Sequence, residues 1–260
     1  MDLHYERSGE GPGLLLVHGL GGSTAIWRPL SERLAREREI VAVDLPGFGR
    51  SPSLPAGTRP TAANLGAAVA KLCDALGLSR PHIAGNSLGA WVALEMAKQD
   101  AARSVCGISP AGLWREPLGP RPFDHHALGR RLKPLVGVLA RSRRARSALL
   151  GTTMAHPERV PTDQARALML AYISSDGYAA ANREMRAARF EHPDEVTIPV
   201  TLAWGERDRL VGPPSTTRIP QGARVLTMPG WGHTPTWDDP EGVADLILEA
   251  SAGVAPHSER

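Results

Sequence analysis

Gly85-Asn86-Ser87-Leu88-Gly89 decides how this chain is read. The five residues end a short apolar run, Pro81-His82-Ile83-Ala84, and open a helical pattern from Leu88 to Lys98. A strand that turns sharply into a helix pushes the side chain at the bend out of the backbone. The same turn leaves no space for side chains beside it, a demand that glycine at 85 and 89 meets. Ser87 is therefore expected to be a nucleophile, and a serine nucleophile needs partners elsewhere in the chain.

Outward from that turn, strands and helices alternate. Leu14-Leu15-Leu16-Val17, ending at His18-Gly19, reads as a strand buried on both faces. Glu39 to Val43 reads the same way and ends at Asp44 and the loop Pro46-Gly47-Phe48-Gly49-Arg50-Ser51. Ser31 to Arg38 has helical spacing, and Thr61 caps a helix running to Leu76, with Gly77 as its stop. A further strand covers Ser104 to Ser109. From about 111 to 195 the pattern is helical and arginine-rich, interrupted at first by Pro117, Pro120, Pro122 and Pro134. Alternation resumes with Val200 to Trp204, Arg224 to Met228 and a last helix from about Pro240 to Ala250, and 251–260 read as a disordered tail.

This order predicts an α/β fold with a doubly wound, mostly parallel sheet. Residues 1–110 and 196–250 form its core, and 111–195 form a helical cap inserted after the strand ending near Ser109. Ligands of such sheets bind at the carboxyl ends of the strands. His18, Asp44, Ser87, Ser109 and Gly205 all fall there.

Composition narrows the class. Of 260 residues, 42% are apolar and 22% charged, as in ordinary soluble proteins. No apolar run approaches the roughly 18–20 residues of a membrane span, and the first residues are too polar for a secretion signal. Cys73 and Cys106 are expected to be buried free thiols of a reducing compartment. The reading is a cytoplasmic protein, monomer or homodimer, with a small-molecule substrate and no membrane or nucleic-acid partner. The net charge of +3 comes without any nucleic-acid-binding motif. Arginine gathers at 130, 131, 141, 143, 144 and 146. That cluster is either a solvated helix face or the source of one guanidinium that meets a substrate carboxylate.

A serine hydroxyl needs a general base, and the base needs an acid to hold its tautomer. His233 lies in a glycine-punctuated loop, Pro229-Gly230-Trp231-Gly232-His233-Thr234, after the last strand. Asp208, in Trp204-Gly205-Glu206-Arg207-Asp208, follows the preceding strand, with Glu206 the competing carboxylate. The order Ser–Asp–His is the one that follows a nucleophile elbow. An oxyanion needs two backbone N–H donors. Leu88, after the nucleophile, and Leu20, in His18-Gly19-Leu20-Gly21-Gly22, are the candidates, with His18 as an anchor of that loop. Gly19-Leu20-Gly21-Gly22 lacks the dinucleotide spacing and no phosphate-binding loop is present, so no nucleotide cofactor is expected. His125-His126 are adjacent rather than spaced as ligands on one helix face, so no metal is expected.

Taken together, these motifs resemble the α/β-hydrolase superfamily over residues 3 to 250. The resemblance implies a cofactor-free enzyme that works through an acyl-serine. Its relatives that hydrolyse haloalkanes and epoxides use an aspartate nucleophile, so Ser87 points to the serine branch of esterases and lactonases. The leading expectation is cleavage of a small, partly apolar carboxylic ester or lactone. Gly-Asn-Ser-x-Gly is also similar to hydrolases of carbon–carbon bonds in vinylogous diketo acids. Those commonly carry tryptophan directly after the histidine, where this chain has Thr234, with Trp237 three further on. Arg183, Arg186 or Arg189 could supply the cap arginine they use. The same scaffold also carries biosynthetic cyclases and lyases, and ligand receptors, and both readings stay open at the level of sequence. Gly19, Gly21, Asn86, Trp237 and Arg186 are the expected substrate contacts. The family's outer hairpin is expected to be reduced to one strand.

Overall fold

Apolar side chains on both faces of a pleat are stable only in a sheet covered on both sides. The structure, a computed structural model, describes residues 2–120 and 125–252, and its central strands lie in such a sheet. The strands are β1 (Tyr5–Ser8), β2 (Gly13–Val17), β3 (Glu39–Val43), β4 (His82–Asn86), β5 (Ser104–Ile108), β6 (Val200–Gly205) and β7 (Arg224–Met228). Their order across the sheet is β1-β3-β2-β4-β5-β6-β7. Only β1 is antiparallel, pairing Tyr5 with Val43 at the edge, so one strand stands where a hairpin was expected to be cut back.

Chain order reverses between β2 and β4, which pair in parallel with Val17 opposite Gly85. A crevice opens at such a switch point, beyond the carboxyl ends of the two strands. The loops after Val17 and Asn86 both run into it.

Alternation along each strand sorts the core into two layers. Leu15 and Val17 pack with Leu65 and Val69 of α2 (Ala62–Ala75) and with Val92 and Met96 of α3 (Leu88–Lys98). Leu14 and Leu16 pack with Leu30 and Leu34 of α1 (Arg28–Ala35) and with Val243 and Ile247 of α9 (Pro240–Ala252). Thr61 caps α2 by accepting from the Asn64 amide. Helix α1 begins three residues before the expected Ser31, because Pro29 presets the first turn. It ends at Ala35, and Arg36 to Arg38 lead into β3.

Among the described residues, five α-helices lie between β5 and β6: α4 (His125–Arg131), α5 (Val136–Arg141), α6 (Arg143–Leu150), α7 (Thr162–Ile173) and α8 (Tyr178–Ala187). The insertion is not a separate layer. Val136, Ala140, Leu168 and Met169 join one core cluster, and Tyr178, Ala181 and Phe190 join the other. Its apolar spacing serves the main core.

Two expectations at the edges change. Helix α9 runs to Ala252, and Arg38 donates to the buried Ser251 hydroxyl, so 251 and 252 belong to the fold. Residues 253–260, like Pro122, lie outside those described. No helix among the described residues is long and apolar enough to cross a membrane. Cys73 and Cys106 are buried, and burial pushes both thiols up to about 12, which keeps them protonated and unreactive.

Candidate active site

The turn after β4 is sterically extreme. Ser87 has φ +54° and ψ −116°, a region that side-chain-bearing residues rarely occupy. A Cβ on Gly89 would stand 2.1 Å from the Val17 carbonyl oxygen, and one on Gly85 2.4 Å from that of Gly89. Glycine at both positions lets α3 start directly against β2. The strained turn is held by a 2.9 Å bond from the Ser87 amide to the Ile108 carbonyl. The Ser87 carbonyl accepts from the amides of Ala90, Trp91 and Ala111.

His233 lies beyond β7 and is 5% exposed, while β7 itself is the solvated edge of the sheet. His233 Nδ1 is 2.8 Å from Asp208 Oδ2. The other carboxylate oxygen accepts from the Leu210 and Val211 amides at 2.8 and 3.0 Å. Burial opposes the Asp208 charge, but the hydrogen bonds from His233 and the two amides outweigh it and hold its pKa below the ordinary carboxylate value. An ionised Asp208 accepts the Nδ1 proton, which leaves the Nε2 lone pair as the basic site. Glu206 faces solvent and accepts only a 3.4 Å bond from the Gly230 amide. Of the two candidate acids, geometry brings Asp208 to the histidine.

Asn86 connects the nucleophile turn to the histidine loop. Its Nδ2 donates to the His233 carbonyl at 2.8 Å and to that of Ile108 at 3.2 Å. Its Oδ1 accepts from Thr234 Oγ1 at 3.1 Å. Its amide is fully engaged and 2% exposed, so Asn86 holds the scaffold with no polar atom left for the substrate contact expected of it. The Asn86 side chain thus ties the Ser87 turn to the His233 loop, and no hydrogen bond joins the Ser87 and His233 side chains among the described residues. Catalytic hydrogen bonds are often long before substrate binds.

The loop after β2 passes against the serine: a Cβ on Gly19 would lie 3.1 Å from Ser87 Cβ. His18 sets the course of this loop. It is fully buried, with Nδ1 on the Gly19 carbonyl at 2.7 Å and Nε2 accepting from the Leu45 amide at 2.9 Å. Burial lowers its pKa, consistent with a neutral ring that donates at one nitrogen and accepts at the other. Asp44 closes the same region by accepting from the Thr24 and Arg50 amides. Among the described residues, the Leu20 and Leu88 amides donate to no protein acceptor. Leu88 opens α3, where helix N–H groups are unsatisfied and the dipole favours negative charge.

Gly21 lies beneath the insertion. A Cβ there would meet the Tyr172 ring at 2.6 Å and the Tyr178 ring at 3.3 Å. His126 stacks on Tyr178 with centroids 4.3 Å apart, and Tyr172 stands edge-on to both rings. These three residues roof the loop, and no motif marked them. The available signal was the rarity of tyrosine, since two of the chain's three sit here. Asp238 was also missed. Buried at 2% exposure, it accepts from the amides of Gly232, Ala155 and His156 and so ties the histidine loop to the insertion.

Arg186 and Trp237, also expected to contact substrate, are engaged within the protein. Arg186 donates to the carbonyls of Gly119 and Leu118, within the insertion. Arg189 is held by the Arg115 carbonyl, Glu116 and Glu191, and Arg183 is exposed. Trp237 packs against the core layer that holds α1 and α9. Long side chains there satisfy local carbonyls or fill core, which spacing alone could not show. A cleft of about 590 Å³ opens between Ser147, Gly151 and Met154 of the insertion and the loop Glu206 to Arg209. Neither Ser87 nor His233 lines it. Among the described residues no three His, Cys, Asp or Glu side chains gather as metal ligands, and the side chain of His125 is outside them.

Comparison with known proteins agrees with the fold. Residues 14–246 match a family model described as the alpha/beta hydrolase family. The dihydrolipoyllysine-residue acetyltransferase component of the acetoin cleaving system of Pseudomonas putida is 31% identical over 94% of this chain. The match covers 65% of that longer protein. Epoxide hydrolase EphH of Mycobacterium tuberculosis is 30% identical over 73% of this chain and 94% of its own length. Among solved structures, a bacterial membrane phospholipase A superposes with a TM-score of 0.75 at 25% identity, covering 97% of this chain and 84% of the other.

Proposed function

The chain belongs to the alpha/beta hydrolase family, and from that premise we propose that it cleaves a small, partly apolar carboxylic ester or lactone through an acyl-Ser87 intermediate. The observation that carries this reading is the 2.8 Å bond from His233 Nδ1 to Asp208 Oδ2, which leaves Nε2 as a base in the loop tied to the nucleophile turn.

Ser87 Oγ attacks the substrate carbonyl carbon as His233 Nε2 takes the hydroxyl proton. The carbonyl electron pair moves onto oxygen, and the Leu20 and Leu88 amides receive the oxyanion. The intermediate collapses, the C–O bond breaks, and His233 returns the proton to the leaving alkoxide. A water then repeats the sequence on the acyl-serine, with His233 as base, and releases the acid. In a lactone the leaving oxygen stays tethered to the acyl chain. Asp208 stays ionised throughout and stabilises the imidazolium.

EphH is named for epoxides, but the elbow here carries serine rather than the aspartate of the epoxide-opening branch. The phospholipase relative is named for an ester substrate, which supports the ester reading. No observation favours a carbon–carbon bond hydrolase: Arg186 and Arg189 are engaged within the insertion and Arg183 is exposed.

Hydrolysis of p-nitrophenyl acetate and butyrate tests the proposal. Turnover should vanish in Ser87→Ala, and intact-mass measurement of the wild type should show a transient acyl adduct on the peptide carrying Ser87. Equal turnover by both proteins would remove the acyl-serine mechanism.

A further inference from the structure

The arginine cluster of the insertion has a physical peculiarity that helix stability does not explain. Residues 125–157 hold seven basic side chains (Arg130, Arg131, Lys133, Arg141, Arg143, Arg144, Arg146) and no acidic one, while the remaining 23 basic residues face 27 acidic ones. Arg130 pairs with Asp176 at 3.5 Å. Arg131, Lys133, Arg141 and Arg144 have no ion-pair partner among the described residues, and all four are exposed. Arg143 and Arg144 occupy the first turn of α6, where the helix dipole disfavours cations.

The same segment carries the most exposed large apolar side chains among the described residues, Val138 at 65% and Leu135 at 51%. Val136 and Ala140 turn α5 toward the core. Val138, two residues from each, therefore points directly away from it, and Arg141 follows one turn later on the outer side. Outward aliphatic side chains flanked along the chain by exposed, unpaired cations match one surface, an apolar interior beneath a layer of phosphates. A nucleic acid fits less well, since 125–157 contain no Phe, Trp or Tyr on which bases could stack.

We propose that this face docks the protein on an anionic lipid bilayer. Leu135 and Val138 enter the boundary between headgroups and acyl chains, and Arg131, Lys133, Arg141, Arg143 and Arg144 lie against lipid phosphates. The contact is peripheral, where the sequence alone suggested no membrane partner. It does not depend on the catalytic reading.

Co-sedimentation with phosphatidylcholine vesicles, with and without phosphatidylserine, tests it. The full chain should pellet with the anionic vesicles, weakly with the neutral ones, and less as salt rises. The triple variant R141E/R143E/R144E should weaken binding more than about 100-fold, at roughly fivefold per charge. L135S/V138S should weaken it at least tenfold. All these positions are exposed, so melting temperatures and turnover of soluble esters should stay at wild-type values. Failure to pellet with either vesicle would overturn the proposal. So would L135S/V138S binding like wild type while heparin competes, since that pattern belongs to a soluble polyanion.

Discussion

Replacing Asn86 by alanine separates a scaffold from a binding contact. The substitution removes hydrogen bonds to the His233 carbonyl (2.8 Å), the Ile108 carbonyl (3.2 Å) and Thr234 Oγ1 (3.1 Å). At about 1 kcal/mol each, with the buried His233 carbonyl left unpaired, the loss is about 2–4 kcal/mol. For a domain of this size that lowers Tm by roughly 5–12 °C. His233 loses one of the ties that fix its loop beside Ser87, and a displacement near 1 Å costs about 100-fold in kcat. Asn86→Asp should be worse near neutral pH, because it sets a carboxylate oxygen against two carbonyl oxygens. Melting curves and p-nitrophenyl butyrate kinetics give both readouts. An unchanged Tm and kcat with a raised KM would refute the reasoning and make Asn86 a substrate contact.

Other outcomes follow from the same geometry. Asp208→Asn should lower kcat by roughly 10³–10⁴ with little change in fold, whereas Glu206→Gln should be near neutral; the reverse pattern in steady-state assays would move the acid to Glu206. Gly89→Ala places a methyl 2.1 Å from the Val17 carbonyl oxygen and should give insoluble or strongly destabilised protein, seen by expression yield and circular dichroism. Asp238→Ala leaves the Gly232, Ala155 and His156 amides without their acceptor, so Tm and kcat should fall together. Burial, then the charges of Arg103 and Arg38, lowers His82 from 6.5 to about 4. The folded state thus binds fewer protons, so stability is full above pH 6.5 and declines as pH falls toward 4. His82→Asn should flatten that part of a Tm-against-pH curve, and an unchanged slope would count against it.

The fold was legible because its strands are near-continuous apolar runs and its turns carry glycine where backbones cross. Gly85 and Gly89 announced an elbow from the sequence alone, since no other residue survives a 2.1 Å approach. Ser87, Asp208 and His233 were legible by order along the chain, each following a different strand. What sequence could not show was the direction of long polar side chains. Arg186 looked available for a substrate but satisfies the carbonyl of Gly119, a residue 67 positions earlier. Asn86 looked like pocket lining because it borders the nucleophile. Only the register between β4 and the histidine loop, 147 residues apart, showed where its amide points. Asp238 bears no motif, because its work is to collect amides from two distant segments.

The pairing of β5 with β6 sets Val105 beside Val200, across the whole insertion. Contacts of such separation form slowly, because the chain between them must first be closed into a loop. Synthesis adds its own order. Ser87 leaves the ribosome more than a hundred residues before Asp208 and His233, and β6 has no sheet to join until β5 is in place. A nascent chain therefore carries a serine turn without an acid or a base. Hydrolytic competence arrives as one of the last events of folding, and a chain truncated anywhere before β7 should be catalytically silent.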